Sequence, residues 1–199
     1  VKPSVFPVAL LEAADAMKMI REHAAEWHVD PDAIAVIGFS AGGHLAANLA
    51  TSTNDDVLVA HGYDPDAVRP NGLMLAYPVI TSGPLAHRGS FDSLLGERRN
   101  DSEALESVSI ERHIDAKTPP VFVWHTVPDE VVPYENTLML IDACKKAGVS
   151  IEAHLFPQGG HGLSLGTAET AWQGVSGIEP SIQIWPQLAV SWMRRTFAR

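Results

Sequence analysis

Three residues far apart in the chain, Ser40, Asp129 and His161, are of the types that together carry out nucleophilic acyl transfer. A serine hydroxyl is a weak nucleophile near neutral pH. It needs a base within hydrogen-bond reach, and the base needs a group that orients it. Ser40 is the centre of Gly38-Phe39-Ser40-Ala41-Gly42, a G-x-S-x-G pattern. The apolar run Ile34 to Ile37 precedes it and the small-residue run Gly43 to Ala50 follows it. That context predicts strand, tight turn and helix, the setting of a nucleophile elbow. The pentapeptide alone is a weak signal, and a Gly/Ser loop without chemistry is the alternative. The glycines flanking the serine are expected to relieve crowding where strand turns directly into helix.

The partners come from two later loops. The segment His125-Thr126-Val127-Pro128-Asp129-Glu130 follows a third apolar run and offers the acid. Gly159-Gly160-His161-Gly162 follows a fourth and offers the base. Loops leaving the carboxyl ends of parallel strands meet at one sheet edge, where sites of open α/β sheets form. Glu130 competes with Asp129, since adjacent loop residues point differently and at most one can hold the imidazole. His44 and His125 are rival bases. His44 lies on the elbow helix, four residues past the serine, and packing is the blander reading. His125 ends a strand and is expected to line the site or pack. With an ordinary imidazole as base, activity should rise between roughly pH 6 and 8.

The elements that must position these groups are legible as periodicity. Leu10, Ala13, Met17, Ile20, Ala24 and Trp27 recur at three and four, predicting an amphipathic helix over about 7–28. The elbow strand follows at 34–37, then a helix to about Thr51 and a polar, turn-rich stretch over 52–71. Leu73 to Tyr77 predicts a second strand, ended by Pro78. Residues 79–120 read as irregular with two short helices. Val121 to His125 predicts a third strand, 134–147 a helix closed by Gly148, and Ile151 to Phe156 a fourth strand. A last helix runs through Leu188, Trp192 and Phe197, with Pro186 kinking or starting it. Strands alternating with helices predict an α/β fold, a parallel sheet covered on both faces. The chain reads as one domain over 1–199, or part of one.

Composition removes several classes. The 199 residues include 46% hydrophobic and 19% charged residues, the balance of a globular chain. A net charge of −10 argues against a nucleic-acid partner, which needs clustered Lys and Arg. No stretch approaches the roughly 20 apolar residues of a membrane helix. The single Cys144 excludes an internal disulfide and reads as a buried filler. No metal-ligand spacing occurs, and no cofactor is expected. The chain opens at Val1-Lys2-Pro3-Ser4 with neither an initiator Met nor a signal-peptide pattern, which by itself does not fix the compartment; a cytoplasmic location is the expectation.

Val36 to Ala46, Tyr77-Pro78-Val79-Ile80, Trp124-His125-Thr126 through Asp129 to Pro133, and Phe156-Pro157 through Gly160-His161-Gly162 together resemble an α/β-hydrolase esterase. The likeness is to the acetyl esterase and acetylxylan esterase-like group, related to prolyl-oligopeptidase-type hydrolases, and spans nearly the whole chain. It implies Ser40 as nucleophile, His161 as general base and acid, and Asp129 as orienting acid. It also implies an oxyanion hole, half of it from the Ala41 N–H. The Gly-rich stretch that supplies the family's second donor does not precede the first helix, and the family's N-terminal strands are missing too. The elbow strand is then expected to be a bare apolar edge, open to a homodimer. A piece of a longer chain, pairing with a second copy, and a naturally short protein are the three alternatives. The implied substrate is a small acetyl ester, with sugars among the carriers. Phe39, His87, Arg88 and Trp124 are candidates for the substrate side. Trp124, Trp172 and Trp185 offer stacking faces for carbohydrate, against the plainer reading that they fill the core. The rival readings of function are a non-catalytic hydrolase module and a prolyl-oligopeptidase-type peptidase.

Overall fold

The computed structural model describes residues 5–172 and 176–198; the opening residues on which the signal-peptide reading partly rests, Val1 to Ser4, lie outside them. Four strands form one sheet in the order β1 (Ala35–Phe39), β2 (Gly72–Ala76), β3 (Val121–Thr126), β4 (Ile151–Phe156). All three neighbouring pairs are parallel, with Ala35 opposite Gly72, Leu73 opposite Val121, and Val121 opposite Ile151. Eight α-helices accompany the sheet among the described residues: α1 (Val8–Glu22), α2 (Ala41–Ala50), α3 (Asp55–Ala60), α4 (Pro65–Val68), α5 (Arg88–Leu95), α6 (Ser102–Ser107), α7 (Glu135–Ala147) and α8 (Trp185–Thr196).

Side chains alternate across a strand, so β2 and β3 sort their apolar residues onto two faces. Leu73, Leu75, Val121 and Val123 meet Ala46, Ala47 and Ala50 of α2 and Leu140 and Cys144 of α7. Met74, Ala76, Phe122 and Trp124 meet Trp185, Ala189 and Trp192 of α8. Burying each of the larger side chains contributes roughly 1.5–3 kcal/mol, so both faces have to be covered. A third cluster joins Leu10, Ala14 and Met17 of α1 to Leu49 and Leu58. Beneath the 79–110 excursion, Val79, Phe91, Leu95, Val108 and Val132 form a fourth. The buried amide of Asn136 fixes the start of that excursion: its Oδ1 accepts from Ile80 N (2.9 Å) and Thr81 N (3.1 Å).

Several boundaries differ from the sequence expectation. The first helix ends at Glu22 rather than near His28. Residues 23–28 continue as irregular turns, closed by His28 in left-handed conformation (φ 55°) with Val29 N–H bonded to Ala24 O. Ala24 is buried, but Trp27 is exposed, so the predicted apolar face does not extend past the end of the helix to Trp27. The polar stretch after α2 holds two short helices, α3 and α4, the latter capped by Asp64 accepting from Asp66 N–H. Pro186 lies in the first turn of α8 and starts it without a kink. Gly148 closes α7 at φ 73°, as its position predicts.

Among the described residues, no strand pairs with the outer side of β1, and Ile37 there is 44% exposed. No helix of the described residues is long and apolar enough to cross a membrane.

Candidate active site

The carboxyl ends of β1, β2, β3 and β4 lead directly to Ser40, Tyr77, the Asp129 loop and the His161 loop. A parallel sheet puts all four on one edge. Ser40 sits between β1 and α2 with φ 53° and ψ −120°, a left-handed conformation that a non-glycine residue adopts only when its surroundings hold it there. Those surroundings are crowded at Gly38, where a Cβ would lie 2.2 Å from Gly42 O. Gly42 itself has open space around its Cα, so the expectation that both flanking glycines relieve crowding holds for Gly38 alone. The second tight position is Gly43, against Pro78.

Ser40 Oγ lies 2.7 Å from His161 Nε2, and His161 Nδ1 lies 2.7 Å from Asp129 Oδ2. The Asp129 side chain is fully buried and that of His161 is 16% exposed. Asp129 Oδ1 accepts from Val131 N and Val132 N, both at 2.9 Å. Burial by itself would raise the Asp129 pKa. The hydrogen bonds from His125, His161 and the Val132 amide, with the attraction of His161, outweigh it and hold the carboxyl well below the usual range. An ionised carboxylate only accepts, so His161 Nδ1 carries the proton and Nε2 is free to accept from the serine hydroxyl. Glu130, the competing acid, is exposed, and Asp129 occupies the site.

The His161 loop is pinned at three points. Thr126 Oγ1 donates to Gly160 O (3.1 Å), Ser164 N–H donates to the Tyr77 hydroxyl (3.0 Å), and Trp185 Nε1 donates to Ser164 O (2.8 Å). The Tyr77 ring stands edge-on to the His161 ring at 4.9 Å. Burial raises the Tyr77 pKa, partly offset by the Ser164 amide, and the nearby Asp129 charge raises it further. Sequence reasoning gave Tyr77 and Thr126 no role. Tyr77 directly follows β2 and Thr126 is the last residue of β3, as the elbow follows β1, and that place is the signal that marks them.

The rival histidines have other partners. His44 is buried, its Nε2 donates to Val108 O (2.7 Å), and its ring stands edge-on to Phe91. Burial lowers its pKa, against the opposing pull of the Val108 carbonyl and Glu111. His125 is wholly buried and bonded to Asp129, Val132 and Thr137 rather than to Ser40.

The four substrate-side candidates divide. Trp124 is completely buried and stacks on Trp185 at 5.5 Å, because its position in β3 faces the α8 layer; it is core and offers no face to a substrate. Trp185 is buried with it, while Trp172 is 74% exposed. Phe39 is partly buried and packs against Tyr77 and Trp185. Arg88 is taken up by Asp92 (2.8 Å) and Asn100 (3.1 Å). His87 Nδ1 bonds Ser90 Oγ (2.9 Å). Ser90 in turn lines a hollow of about 200 Å³ with Ala41, His44, Val79, Phe91, Ser93 and Leu94. Ala41 is the first residue of α2, where a backbone N–H has no intrahelical acceptor and the helix end favours negative charge. Among the described residues, no cluster of His, Cys, Asp and Glu has the geometry to hold a metal ion.

Residues 1–143 match the family model described as BD-FAE. Endo-1,4-beta-xylanase B of Butyrivibrio fibrisolvens is 35% identical over 167 residues, covering 83% of this chain and 26% of that protein. The acetylxylan esterase of Xylanibacter ruminicola is 29% identical over 160 residues, covering 78% of this chain and 31% of that one. The chain thus spans less than a third of either curated relative. Among solved structures, the acetyl ester-xyloside bifunctional hydrolase of Caldicellulosiruptor lactoaceticus superposes with a TM-score of 0.82 at 36% identity, over 98% of this chain and 68% of that one. A parallel sheet with helices on both faces, a serine on the strand-to-helix turn and a family match over most of the length agree, and the chain belongs to the BD-FAE family of α/β hydrolases.

Proposed function

We propose that the chain is a serine esterase that hydrolyses short-chain esters, acetyl esters of carbohydrates among them. The continuous line from Ser40 Oγ through His161 to Asp129, two contacts of 2.7 Å each, carries this reading. In it, Ser40 attacks the ester carbonyl while His161 Nε2 takes the hydroxyl proton. Asp129 keeps the imidazole in the required tautomer and stabilises the imidazolium. The Ala41 N–H donates to the developing oxyanion. His161 then returns the proton to the leaving alkoxide, and the alcohol departs. A water activated by the same histidine hydrolyses the acyl-enzyme.

Two further observations support the short acyl group and the sugar ester. The hollow of about 200 Å³ beside Ala41 has apolar walls at Val79, Phe91 and Leu94, a size and lining suited to a short acyl chain. Of the similar proteins, one is named an acetylxylan esterase and another an acetyl ester-xyloside bifunctional hydrolase.

The test is hydrolysis of p-nitrophenyl acetate and butyrate by the chain and by Ser40→Ala, with fluorophosphonate labelling alongside. Hydrolysis that prefers acetate, is lost in the variant, and is accompanied by labelling at Ser40 is the expected result. Equal rates for the two proteins would return the non-catalytic reading.

A further inference from the structure

His125 Nε2 lies 2.9 Å from Val132 O and 3.2 Å from Asp129 Oδ2, and its Nδ1 lies 2.8 Å from Thr137 Oγ1. Both groups facing Nε2 only accept, so that nitrogen carries the proton. In the neutral ring Nδ1 then accepts from the Thr137 hydroxyl. The His125 and Asp129 side chains are both wholly buried, which makes every one of these bonds strong and every lost partner costly. Asp129 Oδ2 therefore receives two imidazole donors, His161 at 2.7 Å and His125 at 3.2 Å.

We propose that His125 is a positioning residue of the active site: it is the second imidazole donor to Asp129, and it fixes both the aim of the carboxylate and the charge left on the oxygen that faces His161. Asp129 hangs from a loop past the end of β3, while His125 is inside β3, the strand flanked by β2 and β4. Val131 and Val132 amides hold only Oδ1. Without His125, Oδ2 keeps His161 as its one donor, and the carboxylate is free to turn about its Oδ1 bonds. The Val132 carbonyl and the Asp129 carboxylate set the tautomer that makes His125 a donor, since the opposite one would aim a lone pair at two acceptors; the Thr137 hydroxyl of α7 then donates to Nδ1 and holds the orientation of the ring. The proposal rests on the triad reading above.

The test compares His125→Gln, which retains a donor near the Nε2 position, with His125→Phe, which retains none. Two readouts are taken: steady-state kinetics, and the proton NMR signal of the His161 Nδ1–H, which needs no turnover. For the Phe variant kcat is expected to fall by about ten- to a hundred-fold with KM little changed, as a small misplacement of a catalytic group does. Its Nδ1–H signal should shift or vanish, and the Gln variant should restore most of both. Wild-type kcat together with an unmoved signal in the Phe variant would overturn the proposal. If that variant does not fold, His125→Asn, whose shorter amide keeps the Thr137 contact but stops short of Asp129 Oδ2, decides in its place. A moved Nδ1–H signal supports the proposal, and an unmoved one overturns it. Failure of fluorophosphonate to label Ser40 in the wild type would sink the triad reading by itself, and the NMR signal would still report whether His125 holds Asp129.

Discussion

His161 Nδ1 and Asp129 Oδ2 stand 2.7 Å apart, and the acid side of that contact is shut off from solvent. Asp129 stays ionised because its hydrogen bonds outweigh its burial. Its one neighbour of the same type, Glu130, points into water. Asp129→Asn should therefore present a donor to His161, reverse the tautomer and lower kcat by about 10⁴-fold without unfolding the protein. Glu130→Gln should change stability by no more than about 0.5 kcal/mol and leave the rate near wild type. Ester hydrolysis by both variants checks this, and equal losses would show that the acid has been misassigned.

The two glycines of the elbow should respond oppositely to the same change. A methyl at Gly38 would enter the space of Gly42 O, and backbone on both sides of the contact leaves nothing to yield. Gly38→Ala should destabilise by at least about 3 kcal/mol or prevent folding. Gly42→Ala meets nothing within 4 Å and should fold normally. Urea denaturation separates the two, and similar midpoints would contradict the elbow geometry.

His44 should make stability depend on pH. Its folded pKa lies below the ordinary value because burial disfavours the charged ring. Between the folded pKa and the unfolded value near 6.5, the unfolded chain binds the extra proton. The contribution of His44 is therefore fully present above about pH 6.5 and is lost as pH falls through the folded pKa. Replacing it with Gln, which can still donate to the Val108 carbonyl, should shrink the loss of urea midpoint between pH 7.5 and 5. An unchanged pH dependence would refute the assignment.

Cys144 should be chemically silent in the folded protein. It is fully buried between the sheet and α7, and burial pushes its thiol pKa up to about 12. A thiol with so little thiolate reacts slowly even where reagent can reach it. Ellman's reagent should find no free thiol in the native chain and one per chain in denaturant. Rapid labelling of the native protein would show that the α7 face opens.

Much of the site can be read from the chain because its chemistry is written in local patterns. The G-x-S-x-G run between an apolar stretch and a small-residue stretch determines an elbow, since strand and helix there leave only one kind of turn. Loops after the third and fourth apolar runs determine that Asp129 and His161 reach the same sheet edge, since parallel strands send their carboxyl ends one way. Strand periodicity places β2, β3 and β4 within a residue of where they lie. What tertiary structure alone decides is which neighbours share a bond. Trp124, which the sequence leaves open as a stacking platform, is buried because α8 closes over that face of β3. His125, read as lining or packing, donates to Asp129 because the 127–132 loop folds back over the end of its own strand. Tyr77, just past the end of β2, and Trp185 of α8 meet on Ser164 from 108 positions apart, a convergence that no window of sequence contains. Periodicity records how each element faces the core. The partners of a buried polar group depend on how those elements pack in three dimensions, and that information is spread over the whole chain.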